Sequence, residues 1–187
     1  MKKSAFFLAI FVIAAVPALA QNSSEFGILF GGSKRLNDIK GGQGESGIND
    51  FKFSNSTKSI YYGIQLEPGT WFRIKAEQIS APLIAVDANG NRVEGGKGKL
   101  DHVDAIVDYK FSEPFGSSGI FAGVGMYRQH VNDSGNEDTN IGLTAGVNAD
   151  FPFSRRYGLI VEGAYHWVHL PGRPRYTTLG AGLRISF

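Results

Sequence analysis

The chain of 187 residues carries 19 Lys and Arg against 17 Asp and Glu, 25 glycines, 14 Phe, 7 Tyr and no cysteine. That is one domain's length, and the absence of thiols excludes disulfide staples, zinc ribbons and cysteine catalysis. Lys2 and Lys3 fall in a leader expected to be removed, which balances the remaining charge and leaves no electrostatic footprint for a nucleic acid.

Met1-Lys2-Lys3 is a short basic start, Ala5 to Val16 is an unbroken apolar run of 12 residues, and Ala18-Leu19-Ala20 closes it with small side chains. This order predicts a secretory signal peptide over residues 1–20, cleaved after Ala20. The run is shorter than the roughly 20 residues of a membrane-crossing helix, and Pro17 interrupts its end. No cysteine follows the cut, so a lipid anchor is not expected, and residues 21–187 form a single domain.

Beyond Ala20 the apolar residues alternate, and a period of two predicts strands with unlike faces. The first strand, near 25–33, sets Phe26, Ile28 and Phe30 on one face. The second (58–67) does so with Ile60, Tyr62, Ile64 and Leu66, and the third (70–79) with Phe72, Ile74 and Ala76. The fourth (99–111) opposes Val103, Ala105, Val107, Tyr109 and Phe111 to Asp104, Asp108 and Lys110. The fifth (119–131) carries Ile120, Ala122, Val124 and Met126, and the sixth (140–151) alternates from Ile141 against Gly142, Thr144, Gly146, Asn148 and Asp150. The seventh (157–168) opposes Leu159, Val161, Tyr165 and Trp167 to Glu162 and His166. The eighth (175–187) ends the chain with Leu179, Ala181, Leu183, Ile185 and Phe187 on one face.

Odd connections are long or loop-like, at 34–57, 80–98, 132–139 and 169–174; even ones are tight, at Pro68-Gly69, 112–118 and 152–156. An up-and-down sheet puts the two kinds at opposite ends, which is the asymmetry of an outer-membrane barrel. Asn89-Gly90 is a hairpin signal, so strands three and four are expected to run on above the membrane. A soluble lipocalin-like barrel also alternates. Here the polar face is rich in Gly and Thr, as a crowded lumen requires. Aromatics gather at strand ends: Tyr109, Phe111, Phe121, Phe151, Phe153, Tyr157 and Phe187 toward the short turns, and Tyr62, Tyr127, Trp167 and Tyr176 toward the long loops. Such girdles mark two water–lipid interfaces.

The architecture and the terminal Leu183-Arg184-Ile185-Ser186-Phe187 resemble the small eight-stranded outer-membrane barrels typified by outer membrane proteins A, X and W. The resemblance covers residues 21–187. It implies an all-β, closed, antiparallel up-and-down transmembrane barrel in the bacterial outer membrane, with lipid and lipopolysaccharide as surroundings. It also implies that Leu183, Ile185 and Phe187 serve as an assembly signal read by the barrel-insertion machinery. The peptidoglycan-binding module of outer membrane protein A is not expected here. The family implies a non-enzymatic role in membrane integrity or surface contacts. The alternatives are a narrow channel or conduit for small hydrophobic compounds, and, less favoured, a lipid A-modifying enzyme.

The residues give little for catalysis. His130, His166 and His169 with Ser134 and Asp133 are the only candidates, and no His-x-Ser pair lies on a lipid-facing side. His166 reads as lumenal, and His130 and His169 as interfacial. The segment 87–91 begins like a calcium loop, but Arg92 stands where Gly is required and Glu94 comes too early. Gly31-Gly32-Ser33-Lys34 and the segment 95–99 lack the spacing of a phosphate loop and read as flexible loops. No cofactor and no metal site is expected.

Two groups of charge remain. Arg92, Lys97, Lys99, Arg173 and Arg175 lie toward the outer rim, where lipopolysaccharide offers phosphates. On the inward parity lie Arg73, Lys75, Glu77, Asp104, Asp108, Lys110, Glu162 and Arg184, four of each sign. Equal numbers in a narrow barrel predict a paired network, because an unpartnered buried charge is costly. Lys110 and Glu77 are expected to be solvated at its ends. The ligand of the loops is not legible.

Overall fold

The computed structural model describes residues 23–36, 52–86, 92–131, 137–170 and 175–187. The leader, the remainder of the long connections and Arg173 lie outside the described residues. Eight strands follow one another: β1 (Ser24–Arg35), β2 (Lys52–Glu67), β3 (Thr70–Val86), β4 (Arg92–Glu113), β5 (Gly116–Val131), β6 (Glu137–Pro152), β7 (Tyr157–Val168) and β8 (Arg175–Ser186). Each pairs with its sequence neighbour, and β1 pairs antiparallel with β8 from Glu25↔Ser186 to Arg35↔Tyr176, so the barrel closes. Backbone hydrogen bonds between Ser24 and Phe187 complete the seam. Closure leaves no strand edge, the condition for placing a sheet in lipid.

The short connections are as tight as their chemistry allows. Glu67 pairs Thr70 across Pro68-Gly69, and Gly69 takes a φ of 82°, which suits a residue without a Cβ. Glu113 pairs Gly116 across Pro114-Phe115. At the other end β3 and β4 stay paired up to Val86↔Arg92. The two glycine-rich segments read as flexible loops are strand: 31–34 lies in β1 and 95–99 in β4. Long-range pairing overrides the local preference of Gly for turns.

The outward face is banded. Ile60, Ala76, Val103, Met126 and Ile141 form one cross-strand row over β2 to β6. The next outward row toward the long loops is Lys58, Gln78, Asp101, Arg128 and Thr139. The change from apolar to polar across one pleat marks the edge of the lipid-facing band. On β4 the outward apolar side chains span Val103 to Phe111, which fits the roughly 9–11 residues a tilted strand needs to cross a membrane. Tyr109 and Phe111 sit edge to face near the short turns, with Phe153 stacked on Tyr157.

Three of the aromatics assigned to the girdles are not there. Phe121, Tyr127 and Tyr176 point into the lumen and are buried. Their parity matches that of the lumenal glycines on the same or neighbouring strands, and a buried ring fills the space those glycines leave. A Cβ on Gly142 would lie 2.5 Å from the Tyr127 ring, and one on Gly146 2.5 Å from the Phe121 ring.

Candidate functional site in the barrel lumen

The pleat sends every second side chain of each strand inward, and eight strands enclose a bore only wide enough for side chains to fill. Arg73, Lys75, Glu77, Asp104, Asp108, Lys110 and Glu162 are all buried there, and the Arg184 side chain is 11% exposed. They are joined by side chains the sequence reading did not assign to the network: Glu25 of β1, His102 of β4 and Asp150 of β6. Glu25 lies at a strand start, outside the alternating run, and His102 precedes the first apolar residue of its run. Parity alone, extended by one pleat, would have found both.

Near the short turns Lys110 Nζ donates to both carboxylate oxygens of Glu25 at 2.8 Å and lies 4.5 Å from the Trp71 ring centre. Lys110 is therefore a buried ion-pair partner and not a solvated rim residue. Asp150 and Arg184 pair at 2.6 Å, and Arg184 also meets Ser186. These groups line a vestibule of about 710 Å³ at the short-turn end, together with Arg155 and Arg156.

In the middle, Arg73 is fully buried between two carboxylates. Its Nη1 donates to Glu162 Oε2 at 2.8 Å and its Nε lies 3.2 Å from Asp108 Oδ2. Tyr61 and Phe121 present their ring faces to the guanidinium at 5.1 and 4.9 Å, which favours a desolvated cation. Asn148 donates to both oxygens of Asp108. Each charge therefore has more than one partner, which is what a low-dielectric site requires.

Farther along, Lys75 Nζ bridges Glu162 Oε1 at 2.6 Å and Glu77 Oε2 at 2.7 Å. Thr57 donates to the other oxygen of Glu77. Glu77, expected to be solvated, is 5% exposed. Around it stand His102, stacked on Tyr127 with ring centres 4.4 Å apart, and His166, which contacts Tyr127 and Thr178. Above this layer Ile79, Leu100, Tyr127, Val168, Leu170 and Tyr176 form an apolar cluster toward the long-loop end. Among the described residues the polar column thus opens at one end and is capped at the other.

The lumenal charges are unequal. Counting buried side chains with Arg184, six carboxylates (Glu25, Glu77, Asp104, Asp108, Asp150, Glu162) face four permanent cations (Arg73, Lys75, Lys110, Arg184). The expected four against four omits Glu25 and Asp150.

Of the outer basic residues, Lys99 and Arg175 lie on separate parts of the rim. Lys99 is exposed on the outer face of β4, in register with His130. Arg175 begins β8, four strands away around the eight-stranded ring. Arg92 and Lys97 belong to β4 by backbone, and Arg173 lies outside the described residues. His130 faces outward and meets Asp101 at 3.0 Å. Leu183 is outward and 52% exposed, Ile185 pairs with Phe26, and Phe187 is 74% exposed at the seam.

No family profile and no curated protein matches the chain in sequence. Its shape does match solved proteins. Neisserial surface protein A superposes with a TM-score of 0.63 at 16% identity, covering 90% of this chain and 98% of that one. The N-terminal β-barrel domain of Pseudomonas aeruginosa OprF gives 0.58 at 15%, covering 89% and 98%. Ail, the attachment invasion locus protein of Yersinia pestis, in complex with the heparin analogue sucrose octasulfate, gives 0.54 at 12%, covering 90% and 100%. The chain has the fold of the small eight-stranded transmembrane barrels of the outer membrane.

Proposed function

We propose that the protein resides in a bacterial outer membrane after export by the leader at residues 1–20. We propose further that it acts there without enzymatic activity, stabilising the envelope and making surface contacts through its long outer connections. The observation that carries this reading is the uneven length of the strands. β2, β3 and β4 have 16, 17 and 22 residues, where about 9–11 cross a membrane. The excess lies at the long-loop end, so these strands rise past the polar row of Lys58, Gln78, Asp101, Arg128 and Thr139 and hold the connections clear of the lipid. Two of those residues, Lys58 and Arg128, are exposed and charged, as is Lys99. Lys58, Lys99 and Arg128 are suited to the phosphates of lipopolysaccharide, Arg128 by bidentate contact.

The filled and capped lumen supports a role outside the bore and argues against a channel. In a deletion strain, sensitivity to detergent should rise and adhesion to surfaces or host cells should fall, with both restored by the full chain. Lipid A should have the same mass with and without the protein. Unchanged detergent tolerance and adhesion would overturn the reading, and an altered lipid A mass would replace it with an enzymatic one.

A further inference from the structure

Three side chains from three strands converge beneath the apolar cap: Glu77 of β3, His102 of β4 and His166 of β7. Their ligating atoms lie within 4.8 Å of one another. Glu77 Oε2 is 3.3 Å from His102 Nε2 and 3.9 Å from His166 Nε2. Bonds of about 2.1 Å at tetrahedral angles hold two ligand atoms about 3.4 Å apart. The two edges therefore already have the dimension of one coordination sphere. Glu77 Oε2 and both ring nitrogens of His102 are buried and lack an aligned hydrogen bond.

The surroundings orient both imidazoles. A metal-binding histidine usually gives its other ring N–H to a carboxylate, which fixes tautomer and ring angle. His102 Nδ1 lies 3.0 Å from Asp104 Oδ2. His166 Nδ1 lies 3.0 Å from the Tyr127 hydroxyl, and that hydroxyl is 3.4 Å from the same Asp104 oxygen. With both Nδ1 atoms protonated, His102 turns its N–H to the Asp104 side without an aligned bond, and His166 donates to Tyr127, which donates on to Asp104. Both Nε2 atoms then remain unprotonated, 3.3 and 3.9 Å from Glu77 Oε2. Thr178 Oγ1, 3.1 Å from His166 Nε2, stands beside the remaining position. Lys75 touches Glu77 Oε2 but is also held by Glu162 at 2.6 Å, a partner it keeps when that oxygen turns to a metal. The surplus of two carboxylates in the lumen is the charge a divalent cation cancels.

We propose that Glu77, His102 and His166 form a site for a divalent transition metal of the zinc class inside the lumen, with Asp104 as the residue that positions both histidines. Two imidazoles and one carboxylate suit such ions better than magnesium or calcium.

The test uses the untagged chain folded from denaturant into detergent micelles in the presence of zinc chloride, so that the metal meets its ligands before the barrel closes. After desalting, about one zinc per barrel should remain, because the three ligands are enclosed in the lumen. Cobalt in its place should give the intense visible absorption of a four- or five-coordinate ion. His166→Gln and Glu77→Gln should each lose retention by more than about 10-fold, and Asp104→Asn should weaken it by about 10–100-fold. His130→Gln, on the outer face, should retain it. Each variant is checked for a changed gel mobility on boiling. A variant that fails to fold leaves the decision to the unmodified chain, where copper should show hyperfine coupling to two imidazole nitrogens. Zinc content far below one per barrel, full retention in His166→Gln, or copper coupled to fewer than two nitrogens would overturn the site.

Discussion

Arg73 is the largest fully buried side chain among the described residues, and its two carboxylate partners are buried with it. Removing a buried cation leaves its partners uncompensated at about 3–5 kcal/mol. Arg73→Ala should therefore lower the stability of the detergent-folded barrel by that amount, read from the urea midpoint of its gel shift. Arg184→Ala should lower it less, because the pair with Asp150 lines the open vestibule and water reaches it. Equal losses would show that water enters the middle layer too. The glycines make a second test: Gly142 faces the Tyr127 ring so closely that Gly142→Val must displace it. Overpacking of this kind costs about 1–3 kcal/mol, and the Tyr127 displacement should appear as a change in near-ultraviolet circular dichroism. At this scale the sequence shows which face a charge occupies but not its depth. Lys110 reads as rim and lies buried because Glu25, 85 positions away in sequence, reaches it across the bore.

Among the strands, the alternation of β7 and β8 places Val161 and Leu183 on the outward face, 38% and 52% exposed. Arg at either position should destabilise the barrel by about 2–4 kcal/mol, the depth-dependent cost of a cation in the lipid-facing band. Thr139→Arg, one pleat beyond that band on β6, should cost about 0–1 kcal/mol. Unfolding titrations in lipid vesicles measure both, and an equal cost at Thr139 would move the membrane edge outward. Strand existence and parity are legible because alternation over five or six residues repeats eight times. Strand ends are less so: the glycine-rich segments 31–34 and 95–99 carry turn chemistry, yet 31–34 is held in register by β8, and 97–99 by β3 beside a bulge at Gly95-Gly96. The inward rings of Phe121, Tyr127 and Tyr176 follow parity, and aromatic position along a strand is a weaker signal than the pleat.

For the whole molecule, closure by β1 and β8 removes any edge from which the ladder can fray. The folded protein should keep a compact gel mobility until boiled; identical migration before and after, with the protein in a soluble fraction, would restore a soluble lipocalin-like reading. In planar bilayers the unmodified barrel should show no large steady conductance, since Arg73 and its partners fill the bore and the apolar cluster caps it. Truncating the cap by Leu100→Ala with Tyr176→Ala should admit a small, noisy conductance. A large open pore without substitution would promote the channel reading.

The sequence by itself determined the eight strands, their inward and outward faces, the alternation of short and long connections, and hence the barrel, because each depends only on a period of two and on local turn chemistry. It also showed that charge enters the lumen. Which charges meet was decided only by the tertiary structure. Partners such as Lys110 and Glu25, Arg73 and Glu162, or His166 and the cross-strand pair Glu77–His102 come from strands far apart in the chain. Their contacts depend on shear and closure, which set how far each strand is staggered against those across the bore, and no local pattern encodes that stagger.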